Sequence, residues 1–472
     1  YAIMPEFGSM DDFDEMLHEI HRRDMKLIMD LVVNHTSDEH PWFIESRSSR
    51  DNPKRDWYIW RPPKNGREPN NWSSYFTPSA WQYDSVTEEY YLHLFSRKQP
   101  DLNWENPQVR REIFAMMRWW FEKGIDGFRM DVINFLAKAP GLPDAPGDGR
   151  YAWPGPLMAN QPGMHEILQE MHREVLSRYD VMTVGEGHFI GPEEGLKYAA
   201  EDRNELHMVF QFDVTGSAHD VGMLKERVAA WDAVFSDKGH QSVTLGNHDY
   251  PRMVSRFGDE REYRVESAKL LATFVLTAPG TPYLYQGDEI GMTNVAFESL
   301  RDYRDIESLR KYQQFLDRGM TENDAFRAMR PISRDNARTP MQWDSSPQAG
   351  FTVGKPWIGV NPNYREINVA VSEQDRNAIL AYYRALIALR KQTPALAYGT
   401  YEVIDTGDTP LYAYRRSLDG VEAVVVLNWS GESISAPDGL LPATASLLIG
   451  SYAEPKWDDL QPWEARVYAV DK

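Results

Sequence analysis

The sequence predicts an α/β protein built on a parallel β/α barrel, and three observations predict it. Amphipathic helices feed short apolar strands six times in series; charged residues cluster at the C-terminal ends of those strands; and from about residue 397 the helices stop and short strands take over. First, "DDFDEMLHEIHRRD" (11–24) places Phe13, Leu17 and Ile20 at helical spacing ahead of "MKLIMDLVVNH" (25–35), an apolar run of strand length. Residues 36–105 then break the rhythm. They are rich in Pro, Asn, Ser, Trp and Tyr, as in "RPPKNGREPNNWSSYF", with a short strand pair expected around "YYLHLF". The alternation resumes with "PQVRREIFAMMRWWFEKG" before "IDGFRMDV" and "GMHEILQEMHREVLSRY" before "VMTVGEG". It continues through "LHMVFQFDV", "AHDVGMLKERVAAW", "SVTLGNHD", "SAKLLATFVLTAPG" and "TPYLYQGDEIG". The closing strands "TYEVI", "LYAYRR", "EAVVVLNW", "ASLLIG" and "ARVYAV" predict a C-terminal antiparallel β-sandwich.

The expected division is 1–35 as the start of the barrel, 36–105 as an insertion, 106–396 as the rest of the barrel and 397–472 as the sandwich. Six helix-to-strand units are two short of a (β/α)8 barrel, so about 60 residues carrying its first two strands are expected upstream. An open six-strand barrel exposes two edges, and a fragment of only these residues is expected to be unstable or inactive.

Composition narrows the function. Hydrophobic residues at 42% and charged ones at 26% are ordinary for a folded chain and exclude disorder. A formal charge of -20 opposes phosphate backbones and anionic lipid, so neither nucleic acid nor a membrane surface is an expected partner. The chain has no cysteine, which removes disulfides, thiolate metal sites and a thiol nucleophile and suits a reducing cytoplasm. No apolar run approaches the roughly 18 residues of a membrane span. "YAIMPEFGSM" carries neither an initiator methionine nor a signal-peptide pattern, and this start reads as a cut. The 15 tryptophans and 24 tyrosines offer flat faces with a polar edge, which suit sugars as well as a core.

The strand ends carry the chemistry. In "GIDGFRMDVI" (124–133), period 2 points Arg129 and Asp131 to one side while Phe128 and Met130 face the other. An arginine within reach favours the ionised carboxylate, the state a nucleophile needs, although a structural ion pair reads the same way. "DLVVNH" puts Asp30 and Asn34 on one face with His35 just beyond. "VMTVGEGH" lifts Glu186 between two glycines, where backbone can approach a ligand closely, and "VTLGNHD" ends in Asn247, His248 and Asp249. Singly, Asp30 and Asp249 read best as helix caps. Together the strand ends gather Asp131, Glu186 and Asp249, three carboxylates beside Asp30, with an arginine and two histidines at one barrel mouth, which is a site. Three carboxylates with no metal and no thiol fit glycoside hydrolysis, in which one carboxylate attacks the anomeric carbon and a protonated one serves the leaving oxygen. Asp131 beside its arginine suits attack; Glu186, with no cation beside it in sequence, suits acid/base work.

The strings "DLVVNH", "GFRMDV", "VGEG" and "GNHD" resemble, in order, four conserved blocks of the α-amylase superfamily. "QPDLNWENP" (99–107) and "TPYLYQGDEIG" look like its further blocks, and "RDNARTPMQW" (334–343) is similar to a stretch of the oligo-1,6-glucosidase and α-glucosidase branch. The resemblance runs over essentially the whole chain. It implies a (β/α)8 barrel with an inserted domain B over 36–105, and a retaining mechanism with Asp131 as nucleophile, Glu186 as acid/base and Asp249 as transition-state stabiliser. It further implies that Asp30, His35, Arg129, His248 and Arg338 hold the terminal glucose of an α-linked gluco-oligosaccharide. No cofactor is implied. In many relatives an acidic loop upstream binds a structural calcium or magnesium, and the family's first two strands with a further aspartate and tyrosine also lie there.

In relatives, valine directly after the nucleophile goes with α-1,6 linkages, and this chain has Val132. Tyr250 stands where glutamine is expected, and "GHFIG" follows Glu186 where small residues are expected; both positions are expected to border the leaving group. "HEIHR" (18–22) has the wrong histidine spacing for a zinc helix and reads as an exposed face, and "GFTVGKP" (350–356) reads as a turn rather than a phosphate loop. Trp72, Tyr75 and Trp81 read as packing at least as well as sugar contacts. The expected activity is therefore an exo-acting α-1,6-glucosidase, with α-1,4 hydrolysis or glucosyl transfer of the sucrose-isomerase kind as alternatives. A non-catalytic relative such as a transporter heavy chain is disfavoured, because all three carboxylates are present. Oligomeric state is not legible.

Overall fold

The computed structural model describes residues 1–407, 409–437, 439–442, 444–456 and 459–470. The chain forms two compact units, one of residues 1–210 with 237–240, the other of 211–236 with 241–472.

The first unit is built on a four-stranded parallel sheet of Ile28–Leu31, Gly127–Met130, Met182–Gly185 and Met208–Val209, in that spatial order. These are the first four strands read from the sequence, each reached by a crossover from its predecessor. The feeding helices have clear stop and start signals. Met10–His21 opens with Ser9 and Asp12 in a capping box and buries Phe13 and Leu17. Pro107–Lys123 opens on Asn106 with proline in its first turn and closes on Gly124 at φ +109°, a left-handed cap that suits glycine. Between the first two strands, three short antiparallel strands, Trp60–Arg61, Trp81–Asp84 and Glu89–Leu92, replace the expected pair. Trp72 and Trp81 are buried with Leu92, Leu94 and Phe135 in the hydrophobic cluster beside them, so these two tryptophans are core.

In the second unit, Ser242–Val243 and Thr281–Pro282 pair in parallel as the remaining two strands of the series. Helix Arg264–Thr277 lies between them in sequence and is buried on every side from Ser267 onward. The five predicted terminal strands form one antiparallel sheet, Thr400–Ile404, Leu411–Leu418, Val421–Asn428, Ala465–Val470 and Ala445–Gly450 in spatial order. One face packs Leu411, Ala413, Val424 and Val426 against Leu440 and Leu460. The other carries Tyr412 and Tyr414, which meet Phe274 and Thr277 of the buried helix. Burial on both faces explains why the central strand, Val421–Asn428, reads as a continuous apolar run. Among the described residues no helix is long and apolar enough to cross a membrane.

Candidate active site

In the first unit the predicted residues meet on Arg129. Adjacent parallel strands register Asp30 opposite Arg129, and Asp131 lies two residues on, just past the end of that strand at Met130. One terminal nitrogen, Nη1, donates to Asp30 Oδ1 (2.7 Å) and Asp131 Oδ1 (2.6 Å), while Nη2 lies 2.6 Å from Glu186 Oε2. Burial alone would lower the guanidinium's pKa, but Glu186, Asp30 and Asp131 outweigh it and raise the group above its ordinary value. The cation that the sequence does not place beside Glu186 thus comes from the neighbouring strand. The Val132 amide also donates to Glu186 Oε2 (3.2 Å), from a backbone at φ +35°, ψ +43°. A β-branched residue in the left-handed region is strained, and such strain gathers at functional sites. The Val132 side chain itself is buried in the cluster with Trp72 and Phe135.

Two expectations change here. The glycines flanking Glu186 serve protein packing: a Cβ on Gly185 would stand 2.6 Å from Leu206 Cδ1, and one on Gly187 would stand 2.2 Å from Ile190 Cδ1. Asn34 does not share a face with Asp30, because the strand ends at Leu31 and period 2 lapses beyond it. Asn34 instead donates to Asp101 Oδ2 (3.1 Å) and accepts from Lys138 Nζ (2.9 Å), itself paired with Asp101 (2.8 Å). This buried network sits beside His35, whose ring packs on Phe95 at 5.2 Å between the amides of Asn34 and Gln99. Burial holds His35 below the ordinary imidazole range, so it is neutral at pH 7.

In the second unit Asp249 is the focus. Its Oδ1 accepts from Arg338 Nη2 (2.7 Å) and Arg334 Nη1 (3.1 Å), and its Oδ2 lies 3.3 Å from His248 Nε2. Arg338 also donates from Nε to the His248 carbonyl (2.9 Å), fixing the turn that the Asn247 side chain shapes by accepting from the Asp249 and Tyr250 amides. Tyr250 is half-buried, with the Arg256 guanidinium 4.4 Å from its ring centroid. Below the turn, Asp288 is fully buried, and burial pushes its carboxyl up to about 7 against the opposing pull of Arg252.

Arg334, Asp101, Lys138 and Gln99 were missing from the sequence-derived site. Arg334 carried a signal: it precedes Arg338 by four residues, the spacing that puts two side chains on one helix face, and Asp335–Arg338 is helical. Lys138 stood out as a lysine in the apolar stretch "NFLAK". Among the described residues no three histidines, aspartates or glutamates group so as to hold a metal ion.

Residues 1–399 match the family model described as "Alpha amylase, catalytic domain". The chain is 54% identical to the oligo-1,6-glucosidase of Parageobacillus thermoglucosidasius, over 99% of its own length and 87% of the relative's. Among solved structures it resembles the trehalulose synthase of Pseudomonas mesoacidophila MX-45 at 41% identity and a TM-score of 0.92, over 100% of this chain and 88% of that one. The trehalose-6-phosphate hydrolase of Bacillus licheniformis gives the same identity, 41%, and TM-score, 0.92, over 100% of this chain and 88% of that one.

Proposed function

The chain belongs to the α-amylase family and is a glycoside hydrolase with that family's (β/α)8 fold, and on this premise we propose that it is a retaining, exo-acting α-glucosidase releasing glucose from short α-1,6-linked gluco-oligosaccharides. The observation that carries the reading is the guanidinium of Arg129, which holds Asp131 on one nitrogen and Glu186 on the other. Carboxylates bridged by one guanidinium favour the shorter of the two spacings glycosidases use, roughly 5 Å rather than 6.5–9.5 Å, and the shorter spacing goes with attack by a carboxylate.

In this reading Asp131 attacks the anomeric carbon while Glu186 protonates the departing glycosidic oxygen. Glu186 then takes a proton from the water that displaces Asp131. Asp249 opposes the positive charge that develops on the sugar ring, and Asp30, His35, Arg129, His248 and Arg338 hold the hydroxyls of the retained glucose. Tyr250 borders the leaving group, and buried Val132 acts on it from behind, through the turn that follows Asp131. The reaction takes no organic cofactor. The α-1,6 preference is supported by Val132 and by the oligo-1,6-glucosidase relative, and the absence of cysteine supports a cytoplasmic setting.

Initial rates on isomaltose and maltose test the reading, with isomaltose expected to be faster; faster maltose turnover overturns the linkage. First appearance of β-glucose rather than α-glucose by proton NMR overturns the retaining step. The trehalulose synthase neighbour favours one second reading, transfer of the glucosyl group to a sugar, and product analysis from sucrose separates it from hydrolysis.

A further inference from the structure

The two strands that lead to Asp131 and Glu186 stay tied together after both have ended. The backbone supplies the first ties: the Glu186 amide donates to the Met130 carbonyl (2.8 Å), and the Ile133 amide donates to the Glu186 carbonyl (2.9 Å). By then Val132 has turned the chain into the short helix Ile133–Phe135, and a side chain takes over. Asn134 Oδ1 accepts from the His188 amide (3.2 Å), while its Nδ2 donates to the His188 carbonyl (2.7 Å). One carboxamide thus pairs with both polar groups of one residue's backbone, the two bonds that an extended residue otherwise makes to a neighbouring strand.

Asn134 is itself braced. It is fully buried, and its Nδ2 also donates to Asn160 Oδ1 (2.8 Å), which accepts in turn from the Tyr198 hydroxyl (2.7 Å). The Asn160 amide donates to the Asn134 carbonyl (3.0 Å), and Asn160 Nδ2 donates to the Phe189 carbonyl (3.2 Å). Room for the approach comes from Gly187, where a Cβ would stand 3.2 Å from Asn134 Cγ. An apolar residue would fill this space without burying an amide, whose desolvation is offset only when its hydrogen bonds are made. Asn134 instead directs two side-chain bonds from the turn three residues after Asp131 to the loop two residues after Glu186.

We propose that Asn134 is a positioning residue for acid catalysis: it fixes the Glu186 loop to the Asp131 turn, so that the proton donor keeps its place while the nucleophile attacks. The inference rests on the reading that Asp131 attacks and Glu186 protonates the leaving oxygen. Both groups that hold the Glu186 carboxylate, the Arg129 guanidinium and the Val132 amide, belong to the strand and turn of Asp131. Asn134 ties the backbone beyond Glu186 to that same segment, so the two carboxylates move as one body. A donor displaced by about 1 Å loses its line to the leaving oxygen, a fault worth about 10²-fold in rate.

The test compares kcat/KM on isomaltose, whose leaving oxygen needs a proton, with kcat/KM on α-glucosyl fluoride, whose fluoride leaves with little help. Asn134→Ala should lose about 10²-fold on isomaltose and no more than about fivefold on α-glucosyl fluoride. Asn160→Ala, which keeps the pair with His188 and removes its brace, should show the same bias at about tenfold against about twofold, and it carries the test if Asn134→Ala does not fold. Equal losses on both substrates, or no loss on isomaltose, would make Asn134 a packing residue and overturn the proposal. Glu186→Gln on the same two substrates separates this outcome from failure of the reading beneath it. A larger loss on isomaltose keeps Glu186 as the acid, and unbiased losses in the asparagine variants then remove only the positioning role. Equal losses in Glu186→Gln would overturn the acid assignment, and the positioning role would fall with it.

Discussion

Arg129 and Asp249 are mirror cases of charge sharing. In the first unit one guanidinium serves three carboxylates, those of Asp30, Asp131 and Glu186. In the second, one carboxylate accepts from two guanidiniums, Arg334 and Arg338. Around Arg129 negative charge exceeds positive, so the carboxylates there compete for one cation, and adding or removing a proton changes the balance. Asp249 has hydrogen-bond donors to spare, and losing one leaves another. The first arrangement suits groups whose charge changes during a reaction; the second suits a group whose charge stays fixed.

The largest effects should therefore fall on the first unit. Asp131→Asn removes the proposed nucleophile and should lower kcat by at least about 10⁴-fold, and Glu186→Gln by about 10³-fold, measured on isomaltose. Arg129→Met comes next, because it strands three carboxylates without their shared cation. A loss of about 10²-fold in kcat is expected, with roughly 3 kcal/mol of stability, read by denaturant unfolding. Arg129→Lys should recover little, since one ammonium cannot reproduce the fork that spans Asp131 and Glu186. If Arg129→Met were milder than Arg334→Met, the contrast between the units would be wrong.

How legible this arrangement was follows from range. Arg129 and Asp131 shared a face by strand period alone, and the structure keeps them together because the strand runs regularly through residue 130. The period misled at Asn34, three residues past the end of its strand, where side-chain bonds to Asp101 and Lys138 decide the direction. The cation for Glu186 lay 57 residues away in sequence, on the next strand of the sheet, and no local pattern reports strand neighbours. Phe189, at φ +58°, was legible only within an unexpected "GHFIG"; the carbonyls of His188 and Phe189 accept from Asn134 and Asn160, which lie 55 and 29 residues before Phe189. Helix and strand order was legible along the βα series and the closing strands because burial writes it into residue period; the partners of charged groups were not, because they are set by which strands and loops become neighbours.

Smaller effects belong to the second unit. Arg334→Met and Arg338→Met should each cost about tenfold in kcat/KM, and the double variant more than the product of the two, because only then does Asp249 lose both donors. A product equal to the double-variant loss would show that the two donors act independently.

The units should also differ in how pH changes their stability. Burial pushes His93, in the first unit, down to about 4. The folded form then binds fewer protons than the unfolded form, so this contribution is present above about pH 6.5 and is lost as pH falls toward 4. Asp288 in the second unit has the opposite sign. Pushed up to about 7, its folded form binds more protons, so its contribution is present below about pH 4 and is lost as pH rises toward 7. Tm measured from pH 4.5 to 7.5 should rise less steeply with pH in His93→Phe, and more steeply in Asp288→Asn, than in the parent. Parallel slopes for all three would remove the contrast.

The smallest expected effect tests whether linkage preference acts through contact or through packing. Val132 is 3% exposed, its side chain lies in the cluster of Trp72 and Phe135, and its amide, not its methyl groups, reaches Glu186. A valine there fixes the strained turn between Asp131 and Asn134 from behind, so its influence on substrate must pass through the position of that turn. Val132→Ala relaxes the left-handed backbone and empties a small volume behind it, two effects that oppose each other in stability and leave Tm nearly unchanged. The isomaltose-to-maltose rate ratio should fall by a few-fold, below the roughly 10–200-fold that a methylene group in direct contact with substrate can supply, because Val132 acts only through the turn. Val132→Thr keeps the branched shape while placing a hydroxyl in the apolar cluster, so it should cost more stability than the alanine variant. A ratio that shifts with threonine but not with alanine would mean that polarity, rather than the freedom of the turn, governs which linkage is cut.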